Sequence, residues 1–260
     1  MKKIISVIFA LTMIIHSALS ISASESQSWY CVRNKDHKQP TADPNMQYIE
    51  EYNGFYVDKR HGDNCDEKVV YLTFDAGYEN GNVERILDTL KEKDVTGAFF
   101  ILGNLITKNT DLVKRMADEG HTVANHTNKH PDMTKKTSIE EFKKELKDLE
   151  KIYTEYTGKE MSKFFRPPEG KFNHSTMEYA NRLGYCTIFW SFAYADWDNN
   201  KQMKAADAKK KILDNIHNGA VILLHPTSRT NADILGDVID ELKELGYRFG
   251  SLEELVEANK

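Results

Sequence analysis

The chain has 260 residues, a formal net charge of −5 and 40% hydrophobic residues, a composition typical of a folded protein. Its 12 Phe, 12 Tyr and 3 Trp residues exclude a disordered chain, because a solvated tail carries far less apolar surface. The excess of 40 Asp and Glu over 35 Lys and Arg argues against a nucleic-acid partner, since binding a phosphate backbone requires clustered positive charge.

The first 23 residues have the three-part pattern of a secretory signal peptide. Lys2 and Lys3 precede an apolar stretch at residues 4–19, and small residues follow it. The stretch is shorter than the roughly 20 apolar residues that a membrane-spanning helix needs. We predict an exported protein from which residues 1–23 are cleaved, with their retention as an N-terminal anchor as the alternative. Any membrane association would then involve this segment alone, and the sequence leaves the oligomeric state open.

The three cysteines of an exported chain cannot all pair with one another. A disulfide between Cys31 and Cys65 would close the loop before the first clear strand, and three free thiols are the alternative. Cys186 lies in a strand-like apolar run, which indicates a small buried hydrophobic residue. No Cys-x-x-Cys motif occurs, so neither a thiolate zinc site nor a redox motif is indicated.

Strand and helix patterns alternate after a polar stretch with scattered aromatic residues at 24–65, which we expect to wrap around the main domain. The predicted strands are 69–74, 97–102, 121–125, 164–166, 185–192 and 220–224. The predicted helices are 83–93, 112–119, 138–156, 174–183, 205–217, 233–245 and 252–258. This alternation implies a parallel sheet covered by helices, and six or seven such units fit a closed or nearly closed barrel in one domain at 66–260.

Five apolar runs of the chain end at side chains that carry charge or bind metals. These are Asp75, His126, Arg166, Asp196 and His225. A single polar residue after a strand is most often a turn residue or a helix cap. Because parallel barrels place their sites where the strands finish, acids, imidazoles and a guanidinium at one rim indicate a catalytic site.

Two of the candidate residues, His126 and His130, lie four positions apart. If the segment turned helically after the strand, the two imidazoles would share one face, as two ligands of one transition metal must. The spacing alone is weak evidence, since such pairs often arise by chance on surface helices. The strand end before the pair and Pro131 after it favour a metal site.

These residues resemble, in order and spacing, the five motifs of the polysaccharide deacetylases of carbohydrate esterase family 4, the NodB-homology family. The similarity covers residues 66–260 and implies a distorted (β/α) barrel of about seven strands. The longer strings at 73–81, 190–197 and 225–231 resemble most the sporulation deacetylases that make muramic δ-lactam in spore cortex peptidoglycan. The motifs are Thr73-Phe74-Asp75-Ala76-Gly77, His126-Thr127-x-x-His130, Arg166-Pro167-Pro168-Glu169-Gly170, Asp196-Trp197 and Leu223-Leu224-His225.

The resemblance implies a role for each group that amide hydrolysis needs. Asp75 matches the base that takes a proton from the attacking water, and Arg166 matches the arginine that keeps this carboxylate ionised. His225 matches the acid that protonates the leaving nitrogen. Asp196 matches the acidic partner that orients His225.

The resemblance also implies a divalent metal ion, with zinc as the first candidate. His126 and His130 match the family's metal ligands. The family commonly has Asp as a third ligand where this chain has Ala76, and Ala cannot coordinate a metal. We therefore expect weak metal binding, with water or a substrate oxygen in the third position.

Four residues are candidates for binding the substrate. By resemblance, Leu223 and Trp197 would line a pocket for the acetyl methyl group, and the backbone N–H of Tyr78 would stabilise the oxyanion. Muramate carries a lactyl carboxylate once its peptide is removed, and Arg166 is expected to be occupied by the base. Arg229, four residues after the acid, could bind this carboxylate, with a solvated loop arginine as the alternative.

Together these features predict an exported, metal-assisted hydrolase that removes acetyl from N-acetylmuramic acid in peptidoglycan strands. The reaction would lead to the muramic δ-lactam of spore cortex, in the cell wall or the forespore intermembrane space. Two alternatives are the same hydrolysis on N-acetylglucosamine of peptidoglycan or chitin, and a noncatalytic glycan-binding module. The retained acid and base argue against the module, which would have no use for both.

Overall fold

The computed structural model describes residues 25–34 and 36–260 of the chain. The predicted signal peptide at residues 1–23 lies outside the described residues. Within the described part of the chain, no helix is both long enough and apolar enough to cross a membrane.

The secondary structure alternates as the sequence patterns predict. The strands are β1 (Gln27–Ser28), β2 (Cys31–Val32), β3 (Thr41–Ala42), β4 (Gly54–Phe55), β5 (Lys68–Ala76), β6 (Ala98–Ile101), β7 (Thr122–Asn125), β8 (Phe164–Phe165), β9 (Lys171–Phe172), β10 (Cys186–Ile188), β11 (Phe192–Ala193), β12 (Ala220–Leu224) and β13 (Tyr247–Phe249). The α-helices are α1 (Asn82–Glu92), α2 (Gly103–Lys108), α3 (Thr110–Asp118), α4 (Ile139–Thr157), α5 (His174–Arg182), α6 (Ala205–Asn215), α7 (Arg229–Glu244) and α8 (Leu252–Ala258). Short 3₁₀ segments occur at Pro44–Tyr52, Met133–Lys135 and Pro168–Gly170.

Nine of these strands form one curled sheet in the order β11-β12-β5-β6-β7-β8-β10-β4, with β13 beside the first residues of β5. Every neighbouring pair in this sheet is parallel, and parallel neighbours need crossover connections, which the helices supply. The edge strands β11 and β4 are not paired with each other in the described chain, so the barrel stays open on that side. The predicted distorted (β/α) barrel is confirmed.

The alternation of side chains along β5 separates two cores. Leu72 and Phe74 pack against helices on the outside of the sheet. Val69 and Tyr71 point into the curl, where residues of α8 pack against them. Asp75 follows the same inward alternation near the end of β5. The strand therefore places a carboxylate at the open end of the barrel.

The N-terminal extension is tied to the barrel by an aromatic cluster. The Trp29 ring stacks on Phe189 with centroids 4.5 Å apart, and its Nε1–H donates a hydrogen bond to the Trp190 carbonyl at 2.8 Å. Strand β1 pairs with β9, and β4 extends the main sheet beside β10. The residues before the first predicted strand are therefore part of the sheet and of its packing.

The cysteines of the described chain are all free thiols, so the Cys31–Cys65 disulfide is wrong and the alternative of unpaired cysteines holds. The Cys31 thiol donates a hydrogen bond to the Trp190 carbonyl, with sulfur and oxygen 3.3 Å apart. Burial raises the pKa of Cys31 to about 12, which keeps this thiol protonated and unreactive.

Two of the predicted elements differ markedly from the structure in extent. The strand predicted at 185–192 is divided into β10 and β11, because the two parts pair with different neighbours in the sheet. The helix predicted to begin at residue 233 begins at Arg229. The hydroxyl of Ser228 accepts a hydrogen bond from the Asn231 N–H at 3.1 Å, an N-cap that starts α7 one turn earlier.

Candidate active site

An open cavity of about 1070 Å³ lies at the carboxyl ends of the strands. Asp75, His126 and His225 line this cavity, at the ends of β5, β7 and β12. Arg166 and Asp196 lie directly beneath, with exposed fractions of 0% and 2%. The structure therefore brings all five predicted strand-end residues to one place, three on the cavity surface and two supporting them.

A fully buried arginine holds the predicted base. Arg166 donates from Nη1 to Asp75 Oδ1 at 2.8 Å. Its Nε–H donates to the Ile188 carbonyl at 2.9 Å, and Nη2 donates to Thr73 Oγ1 and to the Phe189 carbonyl at 2.9 and 3.2 Å. Four hydrogen bonds, one of them the ion pair with Asp75, thus satisfy a charge that would otherwise be costly to bury.

The electrostatics of this pair keep the carboxylate ionised. Burial raises the pKa of the Asp75 carboxyl, but the positive charge of Arg166 outweighs burial and leaves the pKa below its ordinary value. The ionised carboxylate is the form that accepts a proton at neutral pH.

The two candidate metal ligands are joined by a loop, and not by the helical turn that would have placed them on one helix face. His126 and His130 lie in irregular chain after β7, and their ring centroids are 5.1 Å apart. Thr127 and His130 have φ values of 75° and 58°, a region that β-branched residues such as threonine rarely occupy. The Thr127 hydroxyl accepts a hydrogen bond from the His130 N–H at 2.9 Å and holds this turn. Backbone strain of this kind is typical of functional sites.

The chemistry of the His126 ring fits a metal ligand. Its Nδ1–H donates to the Arg166 carbonyl at 2.8 Å, which leaves the lone pair on Nε2. Burial lowers the pKa of His126 to about 4 although the Asp75 charge opposes this, so the ring is neutral. Its Nε2 therefore faces Asp75 Oδ2 across 3.6 Å as one acceptor facing another. A cation between these two acceptors would satisfy both, and His130 is the second imidazole beside it.

The side chain at position 76 supplies no third ligand to this donor set. Ala76 is fully buried in the core between sheet and helices and does not line the cavity. Glu79, the nearest carboxylate along the chain, accepts hydrogen bonds from the N–H groups of Gly81 and Val83 at the start of α1. Among the described residues, no group of three or more His, Cys, Asp or Glu side chains is arranged to enclose a metal ion.

The opposite side of the cavity carries the predicted acid. His225 donates from Nδ1 to Asp196 Oδ1 at 2.7 Å, and its backbone N–H donates to Asp196 Oδ2 at 2.8 Å. Asn231, on the first turn of α7, donates to the same Oδ2 at 2.6 Å and to the His225 carbonyl at 3.1 Å. The Tyr194 hydroxyl donates in turn to Asn231 Oδ1. This network fixes the ring with Nε2 toward the cavity.

The pKa of His225 is shifted in the opposite direction to that of His126. Burial lowers the pKa of His225, but the hydrogen bond and negative charge of Asp196, together with Asp75, outweigh burial and raise the pKa above its ordinary value. A larger fraction of this imidazole is therefore protonated at neutral pH, as a proton donor requires.

The predicted substrate-binding residues occupy different depths of the cavity. Leu223 is buried in its wall, whereas Trp197 is 63% exposed and stands at the rim. Tyr78 also lines the cavity, and its hydroxyl accepts a hydrogen bond from Asn199 Nδ2 at 2.6 Å. The Tyr78 N–H makes no hydrogen bond within the described residues, which leaves it available to a carbonyl oxygen.

Arg229 is the first residue of α7 and is not among the residues that line the cavity. Its side chain is 82% exposed and lies 3.7 Å from Asp233. The cavity is lined instead by Arg33 of the N-terminal extension, which the sequence analysis missed. Trp190 and Asn231 lie inside motif strings that the resemblance had identified, whereas no local pattern marks Arg33.

Comparisons with known proteins agree with this geometry. The family model for polysaccharide deacetylase matches residues 62–188. Peptidoglycan-N-acetylmuramic acid deacetylase PdaA of Bacillus subtilis is 39% identical over 259 residues, which cover 98% of this chain and 96% of that protein. The solved structure of PdaA, described as a family 4 carbohydrate esterase, superposes with a TM-score of 0.84 at 38% identity and covers 91% of this chain and 99% of that one.

The chain belongs to the polysaccharide deacetylases of carbohydrate esterase family 4. This membership confirms the family resemblance of the motifs and the predicted enzyme class. A second family 4 carbohydrate esterase, from Bacillus anthracis, has a TM-score of 0.73 at 35% identity and covers 90% of this chain and 97% of that one. Family 4 deacetylases are generally metal-dependent, and the paired imidazoles beside Asp75 agree with that property.

Proposed function

We propose that this protein is a peptidoglycan N-acetylmuramic acid deacetylase. The observation that carries the proposal is the pairing of an ionised carboxylate and a protonatable imidazole across one cavity. Asp75 is held by Arg166, and His225 is held by Asp196. The similarity to PdaA over almost the full length of both chains supports muramate as the sugar.

The base end of the site activates water. The Asp75 carboxylate, ionised by the buried Arg166, accepts the proton of a water molecule that attacks the acetyl carbonyl. Arg166 acts only through Asp75, since its other donors are taken up by Thr73 and backbone carbonyls. The free N–H of Tyr78 stabilises the negative charge that develops on the carbonyl oxygen.

The acid end of the site completes the reaction. His225, held with Nε2 toward the cavity by Asp196, donates its proton to the amide nitrogen as the C–N bond breaks. The acetyl methyl lies against Leu223, with Trp197 covering the rim. The products are acetate and the free amine of muramate, the group that a later ring closure to the δ-lactam consumes.

His126 and His130 would hold a divalent metal ion, with zinc as our first candidate. Such an ion supplies a positive charge that polarises the acetyl carbonyl and lowers the pKa of water. Two imidazole ligands without a carboxylate as the third ligand would give a site of reduced affinity, because Ala76 cannot coordinate a metal.

The proposal extends to location and domain organisation. We propose that residues 1–23 direct export, that residues 66–260 form the catalytic domain, and that residues 24–65 complete the cavity through Arg33. Peptidoglycan lies outside the cytoplasm, and a spore-cortex role follows if muramic δ-lactam is the end product.

The test is a digest of glycan strands treated with the full chain. Peptide-free peptidoglycan strands are incubated with the protein and zinc, cut with a muramidase and analysed by mass spectrometry. Loss of acetyl from muramate supports the proposal. Loss from N-acetylglucosamine would assign instead the activity named for PgdA of Listeria monocytogenes, which is 35% identical over 188 residues, covering 72% of this chain and 39% of that protein. No loss from either sugar would leave only a glycan-binding role.

A further inference from the structure

A single arginine from the N-terminal extension reaches the cavity. Arg33 follows β2, and its Nη2 donates a hydrogen bond to the Ala193 carbonyl in β11 at 2.5 Å. Its guanidinium carbon lies 5.2 Å from the centroid of the Phe192 ring. One carbonyl and one aromatic face thus hold the planar group against the cavity wall, and its remaining N–H donors stay free to bind a ligand.

The charges of the cavity leave Arg33 uncompensated. Among the described residues that line the cavity, Arg33 is the one Lys or Arg. The lining carboxylates already have cationic partners, since Asp75 pairs with Arg166 at 2.8 Å and Glu169 pairs with Lys171 at 2.5 Å. Arg33 forms no ion pair with any residue that the structure describes. An anionic group of the substrate would therefore be a suitable ion-pair partner for Arg33.

The strand register fixes where that anion lies relative to the reaction. Ala193, which anchors Arg33, pairs with Leu223 of β12, and His225 follows two residues later. Two residues of a strand span about 6.5 Å, so Arg33 sits on the acid side of the cavity, about one sugar ring from His225. In N-acetylmuramate the lactyl ether is on the ring carbon next to the one that carries the acetamido group. With the amide nitrogen at His225, the lactyl group lies within about one ring width, a distance at which Arg33 can reach it.

We propose that Arg33 is a specificity-determining residue that binds the free lactyl carboxylate of muramate, an inference that rests on the proposed function. A guanidinium binds a carboxylate through two parallel hydrogen bonds, a geometry that a lysine cannot reproduce. A peptide stem converts the carboxylate to a neutral amide, and N-acetylglucosamine has no lactyl group. Arg33 thus favours peptide-free muramate over both.

The kinetic experiment compares Arg33→Gln and Arg33→Lys with the wild-type full chain. The substrates are one muramate-containing glycan with free lactyl carboxylates and the same glycan with these groups converted to methylamides. Arg33→Gln raises KM for the free carboxylate about 10-fold, the effect of losing a charge-assisted hydrogen-bonded pair in a partly open site, and leaves kcat unchanged. It leaves KM for the methylamide unchanged, and Arg33→Lys recovers part of the affinity.

Arg60→Gln is the matched control. Arg60 also belongs to the N-terminal extension, is exposed, and donates from Nη2 to a backbone carbonyl, that of Glu257 at 2.8 Å, but it does not line the cavity. This variant keeps wild-type KM for both glycans. Equal losses on both glycans in Arg33→Gln would reveal a packing role and overturn the proposal, as would unchanged KM for the free carboxylate.

A binding measurement separates this inference from the proposed function. In protein carrying Asp75→Asn, calorimetry compares the two glycans without turnover, before and after adding Arg33→Gln. A preference for the free carboxylate that disappears with Arg33→Gln supports the inference even if the wild type releases no acetate, a result that would overturn the proposed activity alone. Equal binding of both glycans to Asp75→Asn protein overturns the inference.

Discussion

At both ends of the cavity a buried ionisable group is kept charged by a partner of opposite charge, but the signs of the charges are reversed between the two ends. At the base end, a carboxylate is buried against Arg166, and the pKa of Asp75 falls below its ordinary value. At the acid end, an imidazole is buried against Asp196, and the pKa of His225 rises. Burial favours the neutral form at both ends, and in both places a buried partner of opposite charge outweighs it. The comparison shows that the partners, more than exposure, set which group gives and which takes a proton.

The largest effect is expected from removing the base. Asp75→Asn should lower kcat by about 10² to 10⁴, the range for a general base, while the native fold is retained. Acetate release gives the rate, and circular dichroism checks the fold. A folded variant with near-normal turnover would remove Asp75 from the reaction.

Breaking the support of the base should change stability as well as activity. Arg166→Gln leaves the buried Asp75 carboxylate without its cation, which should lower the free energy of unfolding by about 3–5 kcal/mol. The pKa of Asp75 should rise, because burial is no longer opposed, and the acid limb of the activity profile should move to higher pH. Urea unfolding and a pH–kcat/KM profile measure the two effects. An unmoved acid limb would separate Arg166 from the base.

Breaking the support of the acid should move the other limb in the other direction. The raised pKa of His225 keeps it protonated, so activity is lost as pH rises through that pKa. Asp196→Asn removes the negative charge, lowers the pKa of His225, and should move the alkaline limb to lower pH with the acid limb unchanged. The same pH profile tests this prediction. Asn231→Ala removes a hydrogen bond to Asp196 but keeps the Asp196 charge, so it should shift the alkaline limb less.

The smallest effect is expected from a substitution next to the base, Ala76→Asp. Ala76→Asp should tighten zinc binding, since an anionic oxygen would complete a three-residue site. Without zinc the variant should be less stable than the wild type, because Ala76 lies fully buried in an apolar core. Calorimetry with zinc and thermal unfolding in a chelator measure both. Unchanged zinc affinity would mean that the new side chain stays in the core between sheet and helices.

The sequence was most informative about the site at positions where a polar residue directly follows a predicted strand. The alternation of strand and helix patterns predicted the parallel sheet, and the polar residues after the strands predicted the edge of the cavity. The pairing of His126 with His130 was found for the wrong reason, because a loop with positive φ, and no helical turn, joins them. The N-cap Ser228 starts α7 one turn earlier than predicted, and Arg229, the first residue of that helix, does not line the cavity.

The sequence by itself determined the alternating elements, the family and the residues at the strand ends. These depend on local periodicity and on motifs that are contiguous along the chain. Only the tertiary structure decided that Arg33 lines the cavity, that Asn231 supports Asp196, and that the cysteines stay unpaired. Each of these depends on segments that are distant in sequence, such as the 160 positions between Arg33 and Ala193. Contacts of this kind arise from packing, which local patterns do not encode.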